Sequence, residues 1–209
     1  MTKLPSFSIM VSAAERERRA DGSVDFLLRR LQAGFPDLYD HAIRSSYVVR
    51  RIAQEYGEAA ETEAVLYRTA LLQDVGMLAV SMAGFSPVHA AFLRHPALGA
   101  QLLASQLRSG RLDRDALLQH HENLDGTGYP LGLKGNKLSH SGKLLRVANA
   151  FAMMTGVDAR TRRIFGAELA IMEMFRRCGA LFEADLLFAL SEVVGQEEDG
   201  LFEQRNAAD

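Results

Sequence analysis

Residues 36–57, PDLYDHAIRSSYVVRRIAQEYG, read as one long helix, and that reading sets the class of the fold. Proline stands in the first turn, where its missing N–H costs no intrahelical bond. Leu38, Ala42, Ser45, Val49, Ile52 and Tyr56 then recur every three or four residues and give the helix one side to bury. Gly57 closes it, because glycine takes a left-handed cap without strain. Upstream, Ser23 is placed to cap a shorter helix in which Val24, Leu27, Leu28 and Leu31 share a face until Gly34. That face needs a cover, supplied by docking to a partner or by a second copy of the chain. Downstream, residues 61–74 form a third helix with Ala64, Leu66, Ala70 and Leu71 inward, and Gly76 reads as its stop. Residues 88–107 read as helical, with Pro96 opening a new first turn inside the stretch. Asp113 caps 114–122, Ser139 caps a helix reaching Thr155, 167–178 make another before Gly179, and 183–194 make the last. Residues 1–22 read as a weakly structured entry with a solvated charged run at 15–19, and the polar residues 195–209 as a fraying end. No segment alternates at period two for long enough to build a sheet. The expectation is an all-α protein, an irregular bundle of seven or eight helices.

Composition narrows the functional classes. With 209 residues, the chain fits one domain of roughly 150 residues with additions: an extension over 1–35 carrying one helix, a domain over 36–195 and a polar tail over 196–209. Twenty-four Lys+Arg against 26 Asp+Glu leave a net charge of −2, which argues against a nucleic-acid polymer as partner. The one cysteine, Cys178, excludes an intramolecular disulfide and fits a reducing compartment. The first ten residues lack the layout of a signal peptide, and no apolar run approaches the ~20 residues of a spanning helix. The reading is a cytoplasmic protein with no membrane contact.

The chemistry is sought among the six histidines, since imidazole and carboxylate are the usual ligands of hydrolytic metals. His89 and His140 read as isolated surface or hydrogen-bonded residues. The adjacent pair His120 and His121 is different: Glu122 follows it directly, and then a glycine-rich turn that can hold backbone close to a ligand.

The stretch at 120–130, HHENLDGTGYP, resembles the HHExxDGxGYP signature of the HD-GYP family, a branch of the HD phosphohydrolase superfamily, and GLKG at 132–135 resembles the GLxG that follows it. Other segments line up in the same order. HAIR at 41–44 is similar to HSxR, ALLQDVG at 70–76 to ALLHDIG, HPALG at 95–99 to HPxxG, RVAN at 146–149 to xVAD, and 182–190 to the closing FDPxLVxxF. The similarity runs from about Asp37 to Val194. It implies an all-helical, HD-domain-like fold and a site for two or three iron or manganese ions that hydrolyses cyclic di-GMP. In such a site a shared carboxylate holds two metals ~3.5–4 Å apart around a bridging hydroxide.

Carried over residue by residue, the resemblance makes Asp74 the metal-bridging position and the residual catalytic group. It gives Asp74, His95, His120 and His121 as metal positions, with His41 and Asp37 at the place of a third ion. Asp125, Gly126, Gly128, Tyr129 and Pro130 would form a ligand-binding loop. Arg160, Arg162 and Arg163, in a loose match to the DRPYR-like segment, would meet a nucleotide phosphate or simply form a solvated loop. Three positions depart from the pattern. Gln73 replaces the histidine of the HD pair, Asn149 the late metal-binding aspartate, and Met77 the lysine that faces phosphate. A neutral amide is a poor substitute for imidazole or carboxylate. The resemblance then implies a degenerate signalling protein that keeps one transition metal, Fe or Mn, or none. It would bind cyclic di-GMP, a related nucleotide, a GGDEF-type protein, another signalling protein or a second copy of itself. The alternatives are a phosphodiesterase running on a reduced metal site and a purely structural helical adaptor.

Overall fold

The computed structural model describes residues 10–12, 14–15, 21–82, 92–156 and 165–206. Among them lie ten α-helices: α1 (Gly22–Gly34), α2 (Pro36–Tyr56), α3 (Ala60–Leu72), α4 (Gly76–Met82), α5 (His95–Leu102), α6 (Ala104–Arg108), α7 (Arg114–Gln119), α8 (His140–Thr155), α9 (Ala167–Phe175) and α10 (Ala184–Asn206). A 3-10 turn spans Gly135–Lys137. The described residues hold no strand, only an isolated bridge between Cys178 and Phe182. None of their helices is long and apolar enough to cross a membrane.

The all-α class stands, with more and shorter helices than the hydrophobic periodicity suggests. Gly76 does not stop a helix. It starts α4, because α3 ends at Leu72 and residues 73–75 form a turn that sends Gln73 and Asp74 into the interior. The stretch beyond Pro96 is broken at Leu103 into α5 and α6. Asp21, rather than Ser23, caps α1, accepting from the Ser23 N–H and hydroxyl at 2.9 and 2.6 Å. The last helix runs on through Gly195 to Asn206. A helical glycine costs only about 1 kcal/mol, and Gln196 is tied to α2 by a bond from its Nε2 to Glu55 (2.8 Å) and one from Arg51 (3.1 Å). The segments with His89, Arg160, Arg162 and Arg163 lie outside the described residues.

α2 is the hub, packed against α1, α3, α8 and α10. Ala42, Ser45, Val49 and Ile52 are buried as their spacing requires, whereas Tyr56 is exposed beside the His140 ring. Its residues feed two apolar clusters. One gathers Val49, Ile52, Phe151, Leu187 and Leu190, and the other Ile43, Leu71, Leu103 and Leu117 together with Val24, Leu28 and Leu31 of α1. The apolar face of α1 is therefore covered within the chain and needs no second copy.

The helices that carry the polar interior meet at two glycines without room for a side chain. A Cβ on Gly76 would strike the His95 carbonyl and come within 2.7 Å of the Gly99 amide nitrogen, so α4 starts against the first turn of α5. That contact sets Asp74 beside His95. Gly76→Ala must push two backbones apart, and overpacking of this kind costs about 1–3 kcal/mol. Chemical denaturation is expected to give a loss in that range or above, while Gly110→Ala, at an open turn with positive φ, disturbs only its own loop.

Candidate metal centre

The turn after α3 and the start of α5 each deliver one polar side chain, and the end of α7 two, to a common point. Asp74, His95, His120 and His121 offer ligand atoms that all lie within 4.8 Å of one another, and the first three residues are buried. His95 Nε2 stands 3.2 Å from Asp74 Oδ1 and 3.1 Å from His120 Nε2. His95 Nδ1 donates to the Phe92 carbonyl at 2.6 Å, and His120 Nδ1 to that of Leu117 at 2.7 Å. These bonds fix both ring orientations and turn Nε2 toward the shared point, as backbone carbonyls do behind metal-bound histidines. Acceptor atoms gathered this closely could hold a cation among them. The donor set of one carboxylate and three imidazoles suits a transition metal.

The positions beside this cluster are joined to one another instead. His41 Nε2 donates to Asn149 Oδ1 at 2.6 Å, and Gln73 Nε2 approaches the same oxygen at 3.2 Å, Ser45 Oγ at 3.3 Å and Asp74 Oδ2 at 3.4 Å. Asn149 Nδ2 points at the His120 carbonyl, 3.4 Å away, and at His121 Nδ1, 3.5 Å away. Each amide has its nitrogen toward an acceptor, an arrangement that flipping either one would break. His41 spends its Nε2 on Asn149 and stands outside the converging group, and Asp37 is exposed in the first turn of α2. Met77 is buried on α4. His140 sits apart, 2.9 Å from Glu58.

The loop after His121 is held from inside. Glu122, fully buried, accepts from the backbone N–H groups of Leu131 (2.6 Å), Gly132 (3.1 Å) and Leu133 (3.0 Å). Gly128 lies so close to the backbone of 121–123 that no Cβ fits there. Asp125 accepts from the Thr127 amide and hydroxyl and closes the turn through Gly126, whose φ is +84°. The Tyr129–Pro130 peptide is cis, and the Tyr129 ring stacks on His121 with centroids 4.6 Å apart. Glu122 and Arg146 were not singled out from sequence as site residues. The first lies inside the recognised motif and was legible there, while the second carries no local signal.

Burial, followed by the neighbouring His95, pushes the His120 imidazole down to about 3, and burial also holds His41 and His121 below their usual value. Burial works to raise the Asp74 carboxyl, but His95, His41 and His120 outweigh it and keep Asp74 ionised. Between about pH 6.5 and pH 3 the unfolded chain therefore binds protons that the folded, metal-free chain refuses. Its stability should fall as pH drops through that window. The melting temperature of metal-free protein is expected to be lower at about pH 5 than at about pH 7.5, with a smaller difference in His120→Gln; a flat profile would contradict this assignment.

The comparisons agree with the geometry. A family model described as HD domain matches residues 31–180. The cyclic di-GMP phosphodiesterase response regulator RpfG of Xanthomonas campestris pv. campestris is 26% identical over 191 residues, covering 87% of this chain and 50% of that protein. The 3'3'-cGAMP-specific phosphodiesterase 3 of Vibrio cholerae is 31% identical over 151 residues, covering 68% of this chain and 33% of its own length. The chain thus spans half or less of these curated relatives. Among solved structures, the HD domain of the Listeria monocytogenes phosphodiesterase PgpH superposes with a TM-score of 0.56 at 13% identity, covering 84% of this chain and 98% of that one, a likeness of fold. A family match that runs from the end of α1 past α9, across every helix that sends a side chain to Asp74, places the chain in the HD domain family, on its HD-GYP branch.

Proposed function

We propose that the chain is a degenerate HD-GYP signalling module. It holds one transition metal, iron or manganese, at Asp74, His95, His120 and His121, and binds cyclic di-GMP or a related cyclic dinucleotide without efficient hydrolysis. The observation that carries this reading is the amide network. His41 and Gln73 both donate to Asn149 Oδ1 and Gln73 also reaches Asp74 Oδ2, leaving Asp74 Oδ1 for the converging imidazoles. Two-metal hydrolysis needs anionic and imidazole ligands on both sides of the shared carboxylate, and here one side offers neutral amides. Three such changes should cost more than the 10–100-fold typical of losing one outer partner. The likeness to phosphodiesterases named for cyclic di-GMP and 3'3'-cGAMP supports the ligand class, as does a TM-score of 0.54 to the PgpH HD domain in complex with cyclic-di-AMP. On this reading the loop over Asp125, Gly126, Gly128, Tyr129 and Pro130 serves recognition of that ligand or of a signalling partner in the cytoplasm.

The intact four-residue donor set favours a second reading, a slow phosphodiesterase on one ion. A single bound metal would supply Lewis acidity and an acidified water, while Asp74 and the three imidazoles fix its position.

Elemental analysis of anaerobically purified protein, with cyclic di-GMP turnover assayed on the same sample, separates these readings. The expected result is about one iron or manganese per chain, lost in His121→Ala, with little or no turnover. Turnover that vanishes in His121→Ala would favour the slow enzyme, and absence of metal would remove both readings. The double change Gln73→His with Asn149→Asp is expected to raise metal content toward two per chain.

A further inference from the structure

Arg146 stands three residues before Asn149 on α8, one helical turn away and on the same side. Its Nε and one terminal nitrogen donate to Asn123 Oδ1 at 3.1 and 3.0 Å, and its guanidinium carbon lies 4.9 Å from the centre of the Phe182 ring. Among the described residues no carboxylate forms an ion pair with it. One turn earlier on the same helix, Lys143 has Glu183 at 2.7 Å. Burial pushes the Arg146 guanidinium down to about 10, so it remains a cation at neutral pH. Its charge is felt by Tyr129 and His121, the two stacked rings at the edge of the metal cluster. A largely buried cation with no anion is costly to fold around. Asn123 takes only one edge of the planar fork, and the other edge retains donors suited to a phosphoryl oxygen.

We infer that Arg146 is the anion-binding residue of this site: it holds a phosphate oxygen of a nucleotide from the α8 wall, where Met77 leaves the α4 wall without a cation. This rests on the metal-centre reading above for its place next to the ion, and it goes beyond that reading in naming what grips the ligand. Arg146 occupies the position that the xVAD pattern leaves open.

The test titrates cyclic di-GMP and, separately, inorganic phosphate into the 209-residue chain, with and without loaded manganese, comparing wild type with Arg146→Ala and Arg146→Lys. Wild type is expected to bind both probes. Loss of a charge-assisted contact should weaken both about ten- to a hundredfold in Arg146→Ala, with part recovered in Arg146→Lys and metal content unchanged in each. Asn123→Ala keeps the cation and removes its brace; it should retain phosphate binding even where Arg146→Ala folds poorly. Equal or tighter binding by Arg146→Ala at full metal content overturns the inference, as does a metal-loaded wild type that binds neither probe. A wild type that binds phosphate through Arg146 but takes no metal overturns the metal reading alone.

Discussion

A single buried carboxylate organises the interior. Asp74 sits in the turn between α3 and α4, almost without solvent, and is surrounded by His95, His120, His41 and the Gln73 amide. An ionised group in that position is tolerable only when every lone pair is met, so the surrounding helices are obliged to present donors or a cation there. α2 contributes His41, α5 contributes His95 and the end of α7 contributes His120, while Ser45 of α2 and Asn149 of α8 hold the Gln73 amide. The close approach at Gly76 is the steric counterpart of that requirement, because it brings the α5 terminus near enough for His95 to reach the carboxylate.

The two oxygens of Asp74 have different surroundings. Oδ1 looks toward imidazole nitrogens that have spent their other nitrogen on backbone carbonyls. Oδ2 looks toward an amide. This asymmetry follows directly from Gln73 and Asn149, and it divides a site that would otherwise be symmetric about the carboxylate. The loop beyond is tied to His121 by the Tyr129 ring but is shaped from within. Glu122 gathers three backbone amides under it, so its shape comes from the protein itself rather than from a ligand.

Much of this was legible in the sequence. The spacing of Ala42, Ser45, Val49 and Ile52 correctly gave the buried side of α2, and the stretch 120–130 with its companion segments pointed to the four converging residues. Periodicity alone could not bring residues 74, 95, 120 and 121 together, since their proximity depends on how separate helices pack. It also misjudged Gly76, where a glycine required for close approach looks like a helix stop when only the local chain is read, and it ended the last helix at Val194, short of Asn206. Tyr56 continued the apolar spacing but fell past the end of the packed side. Arg146 carries no signal of its own in the sequence, and it is set apart by having no ion-paired carboxylate among the described residues.

The amide clasp around Gln73 and Asn149 bears on how far the fold would depend on an ion. A centre built wholly from imidazoles and carboxylates binds its ions and folds as one event, so that starvation or chelation tends to unfold it. Here His41 and Gln73 both donate to Asn149 Oδ1, contacts between neutral groups that need no ion. Those contacts would stay in place whether or not an ion occupied the neighbouring cluster.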